Sequence, residues 1–163
     1  MRDFRRYSAA VAVFATVLYA ALVIAVFGLI SLYTDRDVIT NGSVGPVVGP
    51  VMTGCSVLLV LACFLWIALR VPEDRQRIEP GTALLIGVVA YLAFCVVGGF
   101  LVGIASTDPF AFIGFFGDQL ISPFAISVGI LAFIVAVLFM LVLASRVGNK
   151  GRPRWPWEKR DDD

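Results

Sequence analysis

Four long stretches of the chain carry no charged residue: 7–34, 38–69, 80–107 and 119–145, of 28, 32, 28 and 27 residues. A fifth uncharged stretch, 109–117, has only 9 residues. At 1.5 Å of rise per residue, roughly 20 helical residues cross a hydrocarbon core about 30 Å thick, so each long stretch suffices. Inside lipid every backbone group must find its partner internally, which for stretches this long and apolar means helices. The pattern predicts an all-α integral membrane protein with four transmembrane helices, at about 8–33, 47–69, 81–106 and 119–145.

These spans pair into two hairpins joined by the charged segment from Arg70 to Glu79. Pro72 and Pro80 suit the end of one helix and the start of the next. The first hairpin's other connection holds Asn41-Gly42 and the run from Gly45 to Pro50, which is turn chemistry; the second span should begin near Pro46 or Pro50. In the second hairpin, Asp108-Pro109 reads as a helix start, so 109–117 is expected to form a short helix. Two readings stand for it: an interfacial helix held in the headgroup layer by its four phenylalanines, or an apolar cap over the bundle. A re-entrant loop is disfavoured, because nothing polar lies in its middle.

Composition agrees with the pattern. Of 163 residues, 60% are hydrophobic and 15% charged, and the mean hydropathy is +0.92. Soluble domains run near 45–50% apolar and about 25% charged, and disorder needs low hydrophobicity with high net charge, whereas the net charge here is +1. Orientation follows from the basic residues, which collect in short cytoplasmic segments. Arg2, Arg5, Arg6, Arg70, Arg75, Arg77 and the six basic residues of the tail fall on one side, and Arg36 alone falls on the other with Asp35, Asp37, Asp108 and Asp118. Both termini are therefore expected in the cytoplasm, as an even span number requires. A cleaved signal peptide is disfavoured, since its apolar region runs to about 7–15 residues and this one is far longer. Eleven Arg against two Lys, with abundant Ala, Val and Gly, points to a bacterial plasma membrane.

A shift of 73 residues lays Thr34-Asp35 on Thr107-Asp108 and Pro50 on Pro123. That register would suit a parallel duplication of the kind some transporters use; chance similarity of two apolar hairpins is the simpler account.

Candidate chemistry is sparse. The chain has no His, and no charge falls inside a span, whereas intramembrane ionisable groups are what usually mark proton or ion paths. Small four-span multidrug exporters depend on a first-span glutamate that has no counterpart here. Cys55, Cys63 and Cys95 all lie within spans without a paired spacing, and read as small buried hydrophobes. No metal-ligand cluster, phosphate loop, dinucleotide fingerprint or hydrolase motif is present, so neither cofactor nor catalytic residue is assigned.

What remains concerns packing. Ser8, Ala12, Thr16 and Ala20 recur every four residues in the first span; Gly99 and Gly103 form a GxxxG in the third, and Ala125 with Gly129 repeats the spacing in the fourth. Small residues let membrane helices approach closely, either within the monomer or toward a partner helix or second copy. The tail, 146–163, is basic and then acidic, and is expected to lack a fold. Its Arg146, Lys150, Arg152, Arg154, Trp155 and Trp157 are candidates for contact with anionic inner-leaflet lipid; so short a strip does not support nucleic-acid binding. The sequence reading is thus a small non-enzymatic interaction, accessory or self-associating membrane protein. Its alternative is a transporter or channel subunit, motivated by the duplicated hairpins and by Pro46, Pro50 and Pro123 as helix breakers.

Overall fold

A computed structural model of the chain describes residues 2–34, 47–70, 79–106 and 110–148. These form five helices: α1 (Arg2–Thr34), α2 (Val48–Arg70), α3 (Pro80–Ala105), α4 (Ala111–Ile121) and α5 (Pro123–Gly148). All but α4 are long and apolar enough to cross a membrane. The 23 residues of α2 amount to about 34 Å of helix, just over the hydrocarbon thickness.

Proline places the helix starts. Pro80 is the first residue of α3 and Pro123 the first of α5, where a missing N–H costs nothing. Pro50 sits in the first turn of α2, in keeping with the expected start near Pro46 or Pro50, and neither it nor Pro123 breaks a span as the transporter reading supposed; Pro46 lies outside the described residues, as do Asp35, Thr107 and Asp108 of the hairpin register.

The short helix departs from expectation. It runs from Ala111 to Ile121 rather than over 109–117, and the fourth span starts at Pro123 instead of residue 119. Its first turn closes on the Phe110 carbonyl, which accepts from Ile113 at 3.1 Å and Gly114 at 3.2 Å; Asp108-Pro109 lies outside the described residues. The charge at Asp118 does not end the helix, because an exposed carboxylate on an outer face disturbs nothing. Pro123 does: the residue before a proline is pushed out of the α region, and Ser122 is extended at φ −64°, ψ 131°.

The four long helices pack in a ring, α1 against α2, α2 against α3, α3 against α5 and α5 against α1. Neighbours run antiparallel. Along α1, Ser8 meets Ala68 and Tyr19 meets Ser56, so the partner's number falls as the residue's own number rises. Large apolar side chains lie on the outside of the helices as well as inside. Many buried positions are small (Ala12, Ala68, Ala83, Ala90, Ala125, Ala132 and Ala136), whereas large apolar residues such as Phe14, Ile24 and Leu32 face outward, 75%, 68% and 81% exposed. Apolar surface exposed on every long helix suits contact with lipid, not water.

Larger residues fill the centre. Phe64 and Phe139 stack across the ring at 4.6 Å, and Phe27 stands edge-on to Phe94 at 5.8 Å and to Phe124 at 5.3 Å. Such aromatic pairs add about 0.5–1.5 kcal/mol beyond area burial.

Candidate functional site

Three constellations hold the helices together. The first is a chain of hydroxyls through the middle of the ring. Tyr19 is fully buried; its hydroxyl shares a 3.0 Å hydrogen bond with Ser56 Oγ and lies 3.4 Å from the Val128 carbonyl of α5. Ser56 Oγ also reaches the Ala90 carbonyl of α3, at 3.5 Å. One tyrosine and one serine thus touch all four spans. A second link, Ser8 Oγ donating to the Ala68 carbonyl at 3.1 Å, ties the start of α1 to the end of α2. Such interhelical bonds contribute about 0.6 kcal/mol on average and at most about 1.7 kcal/mol, because helices apart in the membrane also find partners for these groups.

Tyr19 went unnoticed in the sequence, although a signal was available. Tyr7 and Tyr33 lie at the span's edges, where tyrosine belongs, but Tyr19 falls at its centre, where a hydroxyl needs an internal partner. The four-residue stripe is also redrawn. Ser8, Ala12 and Thr16 are buried, but Ala20 is only half-buried and the buried face continues through Tyr19 and Val23. A strict spacing of four overshoots the helical period of 3.6, so Ala20 lies about 120° around the helix from Ser8, while Tyr19 returns to within about 20°.

The second constellation is the crossing of α3 and α5 at Gly87 and Gly129. A methyl group on Gly87 would stand 2.9 Å from the Gly129 carbonyl oxygen and 3.1 Å from Phe133 Cβ. One on Gly129 would meet Tyr91 Cβ at 3.0 Å and the Gly87 carbonyl at 3.2 Å. The two backbones touch because neither residue has a side chain. Ala125 is fully buried one turn before Gly129. Outside the crossing lies a groove of about 270 Å³. Its floor is the glycine pair, its walls include Leu84, Val88, Ile126 and Ile130, and it opens outward from the bundle. Gly87 was not singled out in the sequence, since its partner lies on another helix.

The third is the seat of α4 on α3. Phe112 lies across the GxxxG step, 3.2 Å from a methyl on Gly99 and 3.3 Å from one on Gly103, so this motif packs within the monomer. Phe115 and Met52 close over Gly98. The Tyr91 hydroxyl donates to the Leu120 carbonyl at 2.6 Å, satisfying a carbonyl in the last turn of α4 that has no helical partner. Gln119 is buried, and its Nε2 has no partner among the described residues.

The remaining candidates are quickly placed. Cys95 is buried, and Cys55 and Cys63 are half-buried; all three are free thiols. The backbone of Arg146 continues α5, while Lys150, Arg152, Arg154, Trp155 and Trp157 lie outside the described residues. Among the described residues no group of three His, Cys, Asp or Glu gathers as metal ligands would.

Fold and side-chain distribution together define a helical protein with four helices able to span a bilayer, closed by an internal hydroxyl chain and a glycine crossing. The chain belongs to a family of unknown function, DUF6121, which it matches over residues 1–163. No curated protein and no solved structure matches it.

Proposed function

We propose that this chain is a non-enzymatic multi-pass protein of a bacterial plasma membrane, with both termini in the cytoplasm, which works by docking a further transmembrane helix. A second copy of the chain is the partner we favour. The observation that carries this reading is the outward groove over Gly87 and Gly129. Its floor is backbone and its walls are branched aliphatic side chains with Tyr91 and Phe133, so a ridge of a neighbouring helix can seat in it. Helices in lipid associate through such close apolar fit, without a hydrophobic drive. The lack of His and of intramembrane charge supports a role in assembly over one in proton-coupled transport or acid–base chemistry.

The transporter alternative keeps the possible duplication as its motive but draws less support from helix breakers. Pro50 and Pro123 begin helices rather than interrupting them, and Tyr19, Phe64, Phe94 and Phe139 fill the space between the hairpins.

The test is photo-crosslinking from Val88 and Ile130 in native membranes, with size analysis in mild detergent. Adducts at the mass of a dimer support the proposal, and Ile130→Trp, which fills the groove, should abolish them. A strictly monomeric protein without adducts would overturn it.

A further inference from the structure

A second groove, between α2 and α3, has a different character. It measures about 330 Å³ and is walled by Trp66, Cys63 and Leu59 on α2 and by Thr82, Leu85 and Ile86 on α3. Opposite charges stand at its mouth. On one side the Arg70 guanidinium sits 3.8 Å over the Trp66 ring. On the other, Thr82 donates its hydroxyl to Glu79 Oε2 at 3.0 Å. From Arg70 to Leu59 the groove descends eleven residues of helix, about 16 Å, close to half of a hydrocarbon core about 30 Å thick. Its depth is therefore that of one leaflet.

We infer that this groove binds a phosphatidylethanolamine molecule of the leaflet on the side of the α2–α3 connection. An acyl chain lies against Leu59, Cys63 and Ile86, the phosphate takes Arg70 and the primary ammonium takes Glu79. The indole face attracts the guanidinium without accepting its in-plane N–H groups, which leaves planar donors suited to a phosphate. Glu79 decides between headgroups. A carboxylate at the mouth repels a lipid of net negative charge, and a quaternary choline has no N–H to donate to it. Trp66, more than half exposed and close to the charged helix end, occupies the depth that indole prefers. The inference needs four helices in a bilayer, but is independent of whether a partner helix docks over Gly87.

The experiment is fluorescence quenching of Trp66 in the full chain carrying Trp155→Phe and Trp157→Phe, which removes the other two of its three tryptophans. The chain is placed in nanodiscs of unbrominated lipid doped with brominated-chain phosphatidylethanolamine, phosphatidylglycerol or phosphatidylcholine. Phosphatidylethanolamine should out-compete each of the others by about 1.4- to fivefold, the range that an exposed ion pair supplies. Glu79→Gln should remove that preference, whereas Arg70→Gln, whose partner phosphate all three lipids share, should weaken quenching by each of them; both positions are exposed. Equal quenching by the three lipids, a preference for phosphatidylglycerol, a preference that survives Glu79→Gln, or quenching unchanged by Arg70→Gln would overturn the inference.

Discussion

Replacing Gly87 with alanine tests the crossing of α3 and α5 most directly. The added methyl would lie 2.9 Å from the Gly129 oxygen and 3.1 Å from Phe133 Cβ, where comfortable carbon contacts begin at about 3.5 Å. The nearest atom belongs to backbone, so no side-chain rotation relieves the contact and α5 must shift by several tenths of an ångström. Overpacking of this kind costs about 1–3 kcal/mol, and the rigid partner places Gly87→Ala in the upper half of that range. Alanine recovers about 0.5–1 kcal/mol over glycine in a helix interior, which leaves a net loss of about 1–2.5 kcal/mol. Gly54→Ala is the matched control: it lies within α2, and nothing stands within 4 Å of its would-be methyl. It should therefore stabilise the protein by the helical term alone. The assay is reversible unfolding in mixed micelles by titration with sodium dodecyl sulfate, followed by circular dichroism. The reasoning fails if the two variants agree within about 0.5 kcal/mol, the scatter of ordinary surface changes.

Three further outcomes are expected. Tyr19→Phe removes a buried hydroxyl bonded to Ser56 and should cost about 0.6–1.7 kcal/mol in the same titration, whereas Tyr33→Phe, at an exposed span edge, should leave the midpoint in place. Tyr91→Phe frees the Leu120 carbonyl and should speed hydrogen exchange in α4 while leaving α2 protected. Reporter fusions after Thr40, Arg75 and Asp163 should report outside, inside and inside; an outward-facing fusion at Asp163 would refute the four-span arrangement.

Much of the architecture was legible because one solvent property dominates it. Charge is so costly in hydrocarbon that its absence from four stretches marks four helices, and proline, lacking an N–H, marks where two of them begin. The short helix was found but misplaced, because Asp118 was read as a boundary when only Pro123 acts as one. Ser8, Ala12 and Thr16 were picked out by spacing, and burial then followed the 3.6-residue period to Tyr19 instead of Ala20. Gly99 and Gly103 were visible as a motif, yet their partner, Phe112, could not be read from the motif itself.

The chain by itself determined the number of spans, their limits to within a few residues, and the small residues available for contact. These depend on local composition and on a bilayer of known thickness. Tertiary structure alone decided which small residues meet: Gly87 with Gly129, Gly99 and Gly103 with Phe112, and Tyr19 with Ser56 and Val128. In lipid every helix face is apolar, so hydrophobic pattern cannot say which face turns inward. That choice rests on shape and on a few hydroxyls, and both are properties of pairs of helices.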